Sequence, residues 1–192
     1  MPMTPFEYLS VLVSIVLALG ITHLLSGLSS ILRSEGKVRL CPIQLSWSLL
    51  VLVLQLSVWW RYWDFRDQAS WGLFQFMSLL VLPALSYLVA RIIMPDVIRD
   101  NTYDMRAHFD QVHQEFFWVF FGAILFSILF RPLLFGHPLW AWENLPGAVI
   151  ALLTPSGALV SDRRWHGALV FLIAAIWLGA GVFLWGDLMQ SM

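Results

Sequence analysis

Cysteine is almost missing. Cys41 is the only one in 192 residues, so no disulfide can close within the chain and no thiolate metal cluster can be built. Charge is scarce as well: Asp, Glu, Lys and Arg make up 12% of residues, about half the fraction of a soluble domain. Lys37 is the only lysine, and arginine supplies every other cation, a pointer to a GC-rich bacterial genome. A net charge of −1 gives no basic field to attract nucleic acid. No P-loop, Rossmann glycine pattern, nucleophile elbow, carboxylate dyad or HExxH-type pair is present, so no catalytic residue is predicted. A cleaved leader is not expected either. No Lys or Arg precedes Tyr8, and the apolar run continues past the one small-residue site, Ala18-Leu19-Gly20.

What is abundant is apolar sequence, and it comes in blocks. Hydrophobic residues make up 59% of the chain, and the charges lie almost entirely between long uncharged stretches. A membrane span needs roughly 20 apolar residues to cross about 30 Å of hydrocarbon, and helices are the default because backbone groups in lipid must be satisfied internally. Six spans are predicted, over 6–32, 42–63, 68–90, 116–135, 144–161 and 165–186, forming one all-α polytopic bundle. The fourth has a short uncharged core, 116–130, from which Arg131 can snorkel outward. The fifth is interrupted by Pro146, Pro155 and Gly157.

Cations settle the orientation. With six crossings and an external amino terminus, the inner loops hold Arg33, Lys37, Arg39, Arg91, Arg99, Arg106, Arg163 and Arg164, and the outer loops only Arg61, Arg66 and Arg131. Removing the fifth crossing would nearly erase that bias, so the positive-inside rule favours six spans with both termini periplasmic. Tryptophan agrees: Trp59, Trp60, Trp63, Trp71, Trp140, Trp142 and Trp185 fall at the outer boundary, and Trp47, Trp118 and Trp165 near the inner one. The gap from Ile92 to Glu115 is acidic, with Asp96, Asp100, Asp104, Asp110 and Glu115, and reads as a turn plus an extension of the fourth helix.

His23 is the one strongly titratable side chain well inside a span, and such a group is a functional candidate by default. The plainer reading, a neutral imidazole bonded to a neighbouring helix, is preferred over a proton relay or ligand. Gly20 and Gly27 share its face and allow close approach of a second helix. Ser10, Ser14, Ala18, Thr22, Ser26 and Ser30 recur at every fourth position, a small-residue ridge suited to helix packing. Thr154-Pro155-Ser156-Gly157 is a kink or an ion contact of the kind formed by unwound transporter helices. Asp104, His108, Asp110 and His113 sit at helical offsets able to hold a divalent metal, although an ordinary solvated helix shows the same spacing. A haem would need a second axial histidine beside His23, with His113 and His166 on the same leaflet. Outer charges, Glu7 with Arg61 or Arg131, offer an ion pair.

Two stretches, SIVLALGITHLL at 14–25 and DMRAHF at 104–109 with Phe116-Phe117, resemble a group of small polytopic bacterial inner-membrane proteins of unassigned activity. The resemblance implies a multi-pass inner-membrane setting and carries over no activity. The expected function is a non-catalytic membrane or accessory component without a cofactor. Its partners would be the lipid bilayer and further copies or other membrane subunits. A small transporter or channel using His23 and a broken fifth helix is the alternative, and a haem-type redox protein the second.

Overall fold

Lipid-length helices need defined ends, and this chain marks them with local chemistry. In the computed structural model, which describes residues 4–34, 38–66, 68, 71–95 and 103–190, the first helix α1 (Pro5–Arg33) opens on a capping box. Thr4 accepts from the Glu7 amide and Glu7 accepts from the Thr4 amide, so Glu7 is taken up at its own helix start. Lys37, Asp96, Arg99 and Asp100 lie outside the described residues, as do the side chains of Asp64, Trp185 and Asp187. Pro42 begins α2 (Pro42–Arg61), where its missing N–H is harmless, and a single 3-10 turn (Tyr62–Phe65) follows.

The third predicted span is two helices, α3 (Leu73–Leu79) and α4 (Val81–Ile93), joined at Leu80. Pro83 explains the break, because it has no N–H to offer the Leu79 carbonyl and its ring crowds that oxygen. The Tyr62 hydroxyl donates to the orphaned Leu79 oxygen instead. Beyond it, α5 (Met105–Phe135) is capped by Asp104 and ends at Gly136, whose φ of 67° is left-handed. It starts eleven residues before the predicted span, as a polar extension of the apolar part. The chain closes with α6 (Leu145–Leu159) and α7 (Arg163–Gln190). A two-residue parallel ladder is the only non-helical pairing among the described residues. It joins β1 (Val38–Arg39) to β2 (Tyr103–Asp104) and draws the loop after α1 to the start of α5.

Five of these helices, counting Leu73–Ile93 as one, are long and apolar enough to cross a membrane among the described residues. At 15 residues α6 falls short of that length. The core runs in two large clusters and a small third one of Val38, Cys41 and Met105. Of the large ones, one gathers Leu24, Trp47, Val89, Ile93, Phe116, Phe117 and Leu169; the other gathers Leu9, Val13, Tyr62, Phe65, Leu82 and Phe130. Trp47 is fully buried in the first, where Phe116, Phe117 and Phe120 meet it edge-on, so its ring faces protein on all sides. The outer surface is apolar: Ile15, Leu19, Leu56, Leu152, Phe171 and Leu178 are all exposed. Side chains of this kind in such number suit lipid as the surrounding solvent.

Candidate functional site

The last carbonyls of any helix lack an N–H partner within it, and inside lipid that deficit is costly. At the end of α4 three consecutive carbonyls are satisfied by three different elements. His108 of α5 donates Nε2–H to Ile92 O at 3.2 Å, and Gln44 of α2 donates to Ile93 O at 2.7 Å. His23 of α1 donates Nε2–H to Met94 O at 2.7 Å. A carbonyl oxygen only accepts, so the proton of each imidazole is on Nε2. The His23 Nδ1 lone pair is then free to accept from Arg91 Nη1 at 3.3 Å. Arg91 lies in the last turn of α4, where its charge faces the negative end of the helix dipole.

Glycine makes this junction possible. A Cβ on Gly27 would lie 2.3 Å from Met94 Cγ, and one on Gly20 would lie 2.6 Å from Gln55 Nε2. Gln55 is buried and donates to Ser86 O of α4, so α1, α2 and α4 meet around it. Gln44 and Gln55 escaped the sequence reading, since neither titrates. A glutamine inside an otherwise apolar span was the available signal.

The four-residue ridge of α1 is placed differently from its expectation. Buried positions run Leu9, Val13, Leu17, Gly20, Leu24, Gly27, in steps of four and three that average the helical period. A strict four-residue series drifts by about 40° per step. Ser10 and Ser14 are therefore half-buried, Ala18, Thr22 and Ser26 face outward, and Ser30 returns to an intermediate position. Ser14 accepts from Trp59 Nε1 at 3.0 Å, whereas Ser10 and Ser30 bond back to their own helix.

The transporter alternative requires a broken fifth block, and the structure corrects that. All four of Thr154, Pro155, Ser156 and Gly157 are inside α6. Pro155 removes one bond, while the Thr154 hydroxyl donates to Ile150 O at 2.6 Å and that of Ser156 to Leu153 O at 2.6 Å. The helix runs through all four residues unbroken, so the block is not the unwound segment that the alternative requires. Ser156 Oγ also accepts from Trp165 Nε1, and Gly157 O accepts from His166 Nε2, tying the end of α6 to α7.

The four weak metal candidates separate. His108 goes to α4, and Asp110 pairs with Arg163 of α7 at 2.5 Å. His113 lies against His166, ring centroids 5.3 Å apart, not against His108. Asp104 accepts from the amides of Arg106 and Ala107 and from Arg39 at 3.2 Å. The Ala107 amide does most to hold its carboxyl below the usual range, with Arg106 and Arg39 adding to it. A carboxylate lowered in this way stabilises the folded chain above its ordinary value near 3.8. That contribution disappears as pH falls through the lower folded value. Hydrogen exchange should therefore show the Arg106 and Ala107 amides protected at pH 6 and unprotected in acid below that value. Asp104→Asn should keep most of the protection and flatten its pH dependence.

Arg131 pairs with Glu143, just before α6, at 3.4 Å and lies over the Phe65 ring, whereas Glu7 is engaged in the capping box of α1. Comparison with protein-family models, curated proteins and solved structures finds nothing that matches this chain.

Proposed function

We propose that this chain is a six-span protein of the bacterial inner membrane with both termini periplasmic. In this reading it serves as a non-catalytic membrane or accessory component, and His23 is a tie between helices. The observation that carries the reading is that both His23 ring nitrogens engage α4, through Met94 O and Arg91. An imidazole committed on both sides suits structure better than proton transfer, because either step of a relay would break one of these bonds.

Support for the sixth crossing comes from how α6 lies along α5. Gly147 packs on Ile128 and Gly157 on Phe117, so ten residues forward on α6 match eleven back on α5. The two helices are antiparallel over about 15 Å. Ion pairs bracket the contact, Arg131–Glu143 at one end and Asp110–Arg163 at the other. The uncharged core of α5, 116–130, has the same 15-residue length as α6. A bilayer thinned around this pair accommodates both. With α6 crossing, Arg163 and Arg164 join the inner cations, as the positive-inside rule requires.

The test is accessibility labelling in a Cys41→Ser background. His137→Cys, before α6, should react with an impermeant thiol reagent in intact cells. Asp162→Cys, after it, should react only once the membrane is opened. Equal reactivity from one side would remove the sixth span. Liposomes holding the purified chain should show no ion flux that His23→Ala abolishes; such a flux would replace the scaffold reading with the transporter one.

A further inference from the structure

We propose that His113 and His166 form the protein half of a binding site for a single divalent cation of zinc-like chemistry. Both side chains are more than nine-tenths buried. His166 donates Nε2–H to Gly157 O at 2.9 Å, and His113 donates Nδ1–H to Asp110 O at 3.0 Å. Each imidazole thus carries its proton on the nitrogen that meets a carbonyl. Its other nitrogen, His166 Nδ1 or His113 Nε2, is a lone pair. Both are buried without a hydrogen-bond partner among the described residues.

Two unprotonated nitrogens cannot bond each other, since neither has a proton to give. An electron-pair acceptor between the rings would satisfy both. A histidine whose second N–H is fixed by a backbone carbonyl is the usual form of a metal ligand, because that bond sets both tautomer and ring direction. The separation fits as well. Two imidazoles bound at about 2.0–2.1 Å and meeting at a tetrahedral angle place their ring centres about 5 Å apart. Here they are 5.3 Å apart, at 53°.

The walls hold the rings in place. Phe117 stacks on His166 at 5.4 Å and Phe109 meets it edge-on at 5.2 Å. No group of three or more metal-binding side chains is assembled among the described residues, so two positions on the cation remain for water or another ligand. That openness marks an exchangeable ion and not a closed structural site. Asp110, one turn before His113 and half-exposed, brings a negative charge to the same stretch of α5, at present paired with Arg163.

The experiment uses the full chain purified in detergent, stripped with chelator and then titrated with zinc against a chromogenic competitor. One retained zinc per chain is expected, and X-ray absorption of the native zinc-loaded protein should show two imidazoles in the first shell. His166→Gln, which keeps a donor for Gly157 O but has no imidazole lone pair, should weaken binding at least tenfold, as should His113→Gln. His108→Gln, whose parent imidazole is committed to Ile92 O, should leave it unchanged. No stoichiometric zinc, a shell with fewer than two imidazoles, or equal losses in all three variants overturns the proposal. The absorption measurement needs no variant to fold.

Discussion

Replacing Trp47 with alanine should cost about 3 kcal/mol of stability, at the low end of the usual range of about 3–5 for a buried tryptophan. The indole has no exposed surface and contacts Phe116, Phe117 and Phe120 with centroids 5.4, 5.0 and 6.1 Å away. It links α2 to α5 in the cluster that also holds Leu24 and Ile93. In lipid the unfolded reference is itself apolar, so little transfer free energy is lost. What remains is the cavity and the dispersion contacts that nothing replaces, which is why the low end applies. Reversible unfolding in mixed micelles measures it. Trp118 stands 47% exposed on the outer face of α5. Its replacement by alanine should stay within about 0.5 kcal/mol, as is usual for surface changes. Equal effects at the two sites would mean that Trp47 does not bridge these helices.

The apolar blocks were legible because lipid imposes a one-dimensional rule: length and hydropathy suffice to find α1, α2, α5 and α7. The split at Leu80 was legible in principle, since Pro83 names the carbonyl it orphans. Of the polar junctions only the tie from His23 to a neighbouring helix was legible, and its partner atom was not. His23, Gln44, His108 and His166 each pair with a backbone oxygen, and a carbonyl has no letter in the sequence. His113 and His166 are separated by 53 positions, and only the turn-back of α6 along α5 brings them together. Ala18, Thr22 and Ser26 lie off the face that α1 buries within the chain, because their period is four and not 3.6.

One device recurs through these junctions. Of five histidines, four donate a ring N–H to a carbonyl: His23, His108 and His166 at the ends of α4 and α6, and His113 to its own helix. Imidazole suits this task. It supplies one donor on a rigid, largely apolar ring and needs no full charge to do so. Lysine would bring three donors and a charge that must be solvated. Where a helix end packs among other helices, a neutral donor from a neighbour is the cheaper solution, and it fixes the neighbour's position at the same time.

Gln44→Ala and His23→Ala measure how much the α4 terminus depends on such ties. Gln44 is fully buried, so its loss strands the Ile93 oxygen in an apolar site. The cost should be about 2–3 kcal/mol, the desolvation penalty of an unpaired carbonyl with some lost packing. His23 is only partly buried, and water or headgroups can reach Met94 O once the ring is gone. Its loss should therefore cost about 1 kcal/mol. The two oxygens belong to adjacent residues, so the double variant should lose less than the sum, the first loss having already freed the helix end. Unfolding in mixed micelles reads all three values. Strict additivity would show that the end of α4 is held elsewhere, and a larger loss at His23 than at Gln44 would mean that its imidazole has a role beyond bonding Met94.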